Sequence, residues 1–138
     1  MKTIQQYLSR YNACKKANSI VSLHDAVNML FTPQGREFCK KSHFPSIEFL
    51  RENIDEINSF KTCFVDAGVV STADHRIFVA GDTFAEIFAS RPDEIYYVVA
   101  MHGAEVRIIA DEYSVVTVLV VDAECEVEND GTAKISFE

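Results

Sequence analysis

The sequence has no Trp, and only five Gly and three Pro in 138 residues. That scarcity excludes collagen-like and low-complexity linker architectures. Four cysteines, Cys14, Cys39, Cys63 and Cys125, form neither a CxxC pair nor a dense disulfide framework, so four reduced thiols are expected. No apolar run reaches the roughly 18 residues of a membrane-spanning helix, and "MKTIQQYLSRYNACKK" has no apolar segment of the secretory type. A cytoplasmic protein without membrane attachment is the expectation. GxSxG, Walker A, GxGxxG and HExxH are all missing, so no catalytic residue and no cofactor can be assigned from motifs.

What is present is apolar and aromatic. Ten Phe and five Tyr within a 48% hydrophobic composition supply enough surface to offset the entropy of ordering, which argues against disorder. A single domain over 1–138 follows from the length, with a helical segment over 1–60 and a β segment over 61–138.

The net charge of −8 is unevenly spread. Residues 1–61 hold nine Lys/Arg and six Asp/Glu, a balance of +3, whereas residues 62–138 hold four and fifteen, a balance of −11. The acidic half would repel a phosphate backbone, which disfavours nucleic acid as its partner.

Helical signals fill the first half. "TIQQYLSRYNACKKA" (3–17) places Ile4, Leu8, Tyr11 and Cys14 on one face. "SLHD" predicts a capped start at Ser22 ahead of Ala26, Met29 and Leu30. Thr32 followed by Pro33 predicts another N-terminus, with Gly35 weakening the helix it opens. "FPSIEFLREN" adds a short helix starting at Pro45 or Ser46.

From Lys61 the texture becomes β-branched and aromatic, with a recurring unit of a small residue and alternate apolar ones. It reads Ala85-x-Ile87-x-Ala89, Ile95-x-Tyr97-x-Val99, Ala104-x-Val106-x-Ile108, Ser114-x-Val116-x-Val118, Ala123-x-Cys125-x-Val127 and Ala133-x-Ile135-x-Phe137. Successive starts step by 10, 9, 10, 9 and 10, and weaker units stand at Ala67-x-Val69 and Ile77-x-Val79. Turn formers separate them: "AGD", "RPD", "HG", "DE" and "NDG".

Two architectures accommodate this beat. One is an antiparallel meander or sandwich. The other is a two-sided β-solenoid in which like rows recur every nineteen residues. Strand alternation separates them. One outward set is Phe84, Glu86, Phe88, Glu105, Arg107, Ile109, Glu124, Glu126 and Glu128; the other is Phe78, Tyr96, Val98, Val115, Thr117, Leu119, Lys134 and Ser136. A solenoid gathers the first into a charged wall and the second into an apolar wall that the helices can cover. The expected fold is therefore α+β, short N-terminal helices packed on a repetitive β region, with the two-sided solenoid favoured.

The candidate binding residues are Glu86, Glu105, Glu124, Glu126 and Glu128, an acidic wall suited to a protein partner with a basic surface, including one that normally holds nucleic acid. Arg107 is expected to neutralise part of it. Glu124 and Glu126 should raise the pKa of Cys125 between them. No EF-hand or nonapeptide calcium pattern accompanies these carboxylates, and Cys39 with His43 supplies only two metal ligands, so no metal is assigned. Two rival readings are an enzyme using Cys39, His43 or His102, and a DNA-binding regulator using Arg36, Lys40 and Lys41. A further alternative is a purely structural role, with self-association through uncovered apolar residues.

The segments "TPQGREFCKKSHFPSIEFLRE", "VDAG", "AGDTFAEI" and "MHGAEVRI" together resemble a family of small uncharacterised proteins associated with prophage and mobile-element regions of gut Bacteroidetes. The resemblance implies a helical start before short β repeats and an accessory, protein-binding role in a mobile element. It implies no site residues.

Overall fold

The structure, a computed structural model, describes residues 27–138. The expected helix over 3–17 and the start at Ser22 lie outside the described residues. Residues 27–29 are helical and lead through a turn at 30–31 to Thr32.

Helix α1 (Pro33–Ser42) begins as its sequence dictates, with the Thr32 hydroxyl accepting from the Gly35 amide at 3.1 Å and Pro33 in the first turn. Gly35 has a packing reason to be Gly. A Cβ there would sit 1.7 Å from the Met29 carbonyl oxygen. His43 ends the helix in the left-handed region (φ 51°), and a cis Phe44–Pro45 bond leads into α2 (Ile47–Glu52). Ser46 caps α2 by accepting from the Phe49 amide at 3.2 Å, and α3 (Ile54–Asn58) follows.

Nine strands complete the described chain: β1 (Cys63–Val65), β2 (Gly68–Thr72), β3 (Arg76–Ala80), β4 (Thr83–Ala89), β5 (Ile95–Met101), β6 (Glu105–Ala110), β7 (Val115–Val121), β8 (Glu124–Asn129) and β9 (Lys134–Phe137). Odd strands form one parallel sheet, β1-β3-β5-β7-β9, and even strands another, β2-β4-β6-β8. Each strand pairs with the one two further along, so the chain winds as a two-sided β-solenoid. The antiparallel alternative is set aside by this pairing. Rows recur at 15 residues (Cys63↔Phe78), then 21 (Ile77↔Val98), 20 (Val98↔Val118) and 19 (Val116↔Ile135).

The two sheets read differently because they are buried differently. The odd sheet has core on both faces: Ile77, Val79, Tyr96, Val98, Val116 and Val118 fill the interior, while Phe78, Ala80, Val99, Met101, Leu119 and Val121 pack beneath the helices. Its strands are accordingly near-continuous apolar runs. The even sheet has water on its outer face and alternates, as in "TFAEIFA" and "EVRIIA".

One expectation needs correction. Strand alternation in the sequence places Tyr96 and Val98 on the wall beneath the helices, but both face the interior, 1% exposed, and Tyr97 and Val99 take the outward positions. The unit at Ile95 is therefore out of phase by one residue. The unit at Ala67 is out of phase too, since Val69 stands outward beside Phe84 and is 85% exposed.

Candidate functional site

The acidic wall is the outer face of the even sheet, and its register fixes three rows. Phe84, Glu105 and Glu124 lie side by side on β4, β6 and β8. Glu86, Arg107 and Glu126 form the second row, and Phe88, Ile109 and Glu128 the third. Neighbouring strands lie ~4.8 Å apart and alternate residues along a strand ~6.6–6.8 Å apart, so the five glutamates share one face of a compact grid.

The grid is not uniformly charged. Arg107 bonds Glu128 and lies 3.7 Å from Glu86, so it draws charge from the second and third rows. The hydrogen bond to Glu128 also holds its guanidinium above its ordinary pKa. Glu105 and Glu124 make no ion pair among the described residues. They line a shallow depression of about 390 Å³ with Phe84, Arg107 and Glu126. Phe84 and Phe88, 38% and 37% exposed, leave apolar surface beside the carboxylates.

Cys125 lies half-buried in β8 between two of these glutamates. Its thiol is pushed up to about 11, and the cause is burial rather than the flanking charges. Among the described residues no three His, Cys, Asp or Glu side chains converge where a metal ion could sit. Nor is any described helix long and apolar enough to cross a membrane.

The residues of the two rival readings are placed elsewhere. Cys39 is buried with its sulfur 3.4 Å from Met101 Sδ, and burial pushes the thiol up to about 12. His43 falls beyond the end of α1, so it does not share the helix face of Cys39; its Nδ1 lies 3.1 Å from Asp122. His102 Nε2 donates to the Pro45 carbonyl at 2.6 Å, an acceptor that requires the proton on that nitrogen. Three side chains therefore go to three different partners. Arg36 turns inward, donating to Glu138 at 2.6 Å and to the Phe31 carbonyl at 2.8 Å, with its guanidinium 5.0 Å from the centre of the Tyr97 ring. Lys40 and Lys41 stay exposed, so Arg36 does not join them on one face.

The chain matches no family model, no curated protein and no solved structure.

One feature escaped the sequence reading. Asp66, Gly81, His102 and Asp122 follow paired residues of β1, β3, β5 and β7, and all four are left-handed (φ 49°, 68°, 55° and 54°). This stacked corner is where the helices are held. Arg51 bonds Asp66, Ile47 crowds Gly81, Pro45 accepts from His102, and His43 meets Asp122. The available signal was the unit-final "VDAG", "AGD", "MHG" and "VDA", in which Asp, His and Gly tolerate that conformation.

Proposed function

We propose that the protein is a non-enzymatic, cytoplasmic binding protein, an accessory of a mobile element, that offers the outer face of its even sheet to a basic protein surface. The observation that carries the reading is the Glu105–Glu124 pair, adjacent in register, without a neutralising cation and flanked by Phe84. A Lys or Arg of the partner can set its charge between the two carboxylates and its aliphatic stem along the ring. Glu126 extends the charge, while Glu86 and Glu128 contribute through Arg107, which can exchange partners as the complex forms. A surface that ordinarily holds nucleic acid falls within the same class.

Poly-lysine is a sufficient probe. Titrated at low ionic strength, it should bind the protein and release it as salt rises, because screening weakens exposed charge pairs. Glu105→Gln with Glu124→Gln should weaken binding clearly more than Asp55→Asn with Glu56→Gln, an equal charge change on α3. Equal weakening by both pairs would mean that only net charge matters, and the proposed face would be lost.

A further inference from the structure

Strand β9 ends the odd sheet, and among the described residues nothing pairs with its outer edge. The amides of Lys134 and Glu138 donate to Ser114 and Val118 on the β7 side at 2.9 and 2.8 Å. Alternation along the strand then turns the amide and carbonyl groups of Ile135 and Phe137 toward the open edge. Phe137 is 60% exposed and Ile135 only half-buried, so this edge is apolar on its inner side as well as unpaired. Such an edge is a template for another strand.

The order of residues on β9 selects which strand. "KISFE" (134–138) is self-complementary when reversed about its centre. Antiparallel pairing with a second copy about Ser136 places Lys134 opposite Glu138, Ile135 opposite Phe137 and Ser136 opposite its twin. Ile135 and Phe137 are the residues whose backbone groups face outward, so they become the hydrogen-bonded pairs, exchanging both bonds each time. Lys134–Glu138 and Ser136–Ser136 become the non-hydrogen-bonded pairs, whose side chains approach most closely. Lys134 makes no ion pair among the described residues, and Arg36 already holds the Glu138 carboxylate from the other side. The neighbouring edge, β8, cannot do the same: reversal about Glu126 would set Glu124, Glu126 and Glu128 against an identical row.

We infer that the protein self-associates as a two-fold dimer through antiparallel pairing of β9, continuing the odd sheet from one copy into the next. This interface is separate from the acidic wall and stands without it.

Sedimentation velocity on the 138-residue protein tests the arrangement. A monomer–dimer equilibrium is expected for the wild type. Lys134→Glu and Glu138→Lys should each raise the dissociation constant ~10-fold or more, since each sets like charges opposite one another at two symmetric positions. The double swap should restore the dimer, with far-UV circular dichroism confirming that all variants are folded. A wild type that stays monomeric at its solubility limit overturns the inference. So does an oligomer that survives both single reversals, or single reversals that the swap fails to rescue. Species that lengthen without limit would point to head-to-tail stacking of β8 and β9 on β2 and β1 of the next copy and would equally reject the two-fold pairing.

Discussion

The carboxylate of Asp66 occupies the space that a side chain at Gly81 would need: a Cβ there would lie 2.2 Å from Asp66 Oδ1. Both residues belong to the left-handed corner stack, and the carboxylate uses the gap to accept from the Asp82 amide at 2.8 Å while holding Arg51 at 2.8 Å. Gly81→Ala should therefore destabilise the protein by about 2 kcal/mol or more, the left-handed backbone alone accounting for ~1–2 kcal/mol. Chemical denaturation measures the loss. Combined with Asp66→Ala, the change should cost less than the sum of the two single losses, because the clash is then already relieved.

Asp66 also makes that corner acid-sensitive. The Arg51 guanidinium, followed by the Asp82 amide, holds its carboxyl below the ordinary value of 3.8. A lowered folded value means that the stabilisation is present above pH 3.8 and is lost as pH falls through the folded value. Asp66→Asn keeps a residue that accepts the left-handed backbone and should cost about 1–2 kcal/mol at neutral pH. The gap between wild type and variant should narrow steadily as denaturation is repeated below pH 4. A gap that stays constant with pH would remove Asp66 from the helix clamp.

How far the fold could be read from the sequence depended on what lay on each face of a strand. The even strands alternate because one face is wet, so Phe84, Glu105, Arg107 and Glu124 could be assigned outward, and their register agrees. In β5, "IYYVVAM" is apolar at every position and packs on both faces, with only Ile95 exposed and Tyr97 half-buried, so its residue types carry no alternation to read. Its phase is set instead by pairing with β3, Ile77 opposite Val98, across the five-residue turn 90–94 that lengthens this coil to 21. The helical starts at Pro33 and Ile47 were legible from Thr32 and Ser46, since caps are local chemistry. The corner left a local trace in Asp66, Gly81, His102 and Asp122, residues that tolerate the left-handed backbone, but their stacking was not legible, because it arises only once successive coils lie over one another.

The corrected phase of β5 has a consequence for stability. Tyr96 is among the largest fully buried side chains and stands between the two sheets. Tyr96→Ala should cost about 3–5 kcal/mol, the range for removing a large buried aromatic ring. Val69, exposed on the outer face, should tolerate replacement by Thr within ~0.5 kcal/mol. Thermal melts of the two variants would check the contrast, and a mild Tyr96→Ala would contradict the interior placement.

The cysteines connect burial to alkaline stability. Burial pushes the thiols of Cys39 and Cys63 up to about 12 and about 11, from an ordinary value of 9.0. At pH 8 the folded protein should therefore react slowly with iodoacetamide at both positions, and mass spectrometry should find rapid labelling only after denaturation. A raised folded value also carries a sign for stability. Below pH 9 both states hold the thiol proton and the full stability is present; above it the unfolded chain loses the proton first, so stability declines as pH rises toward 11–12. Cys39→Ala with Cys63→Ala should flatten that decline, although the lost packing lowers stability at every pH. An unchanged alkaline slope in the double variant would place the titrating groups elsewhere.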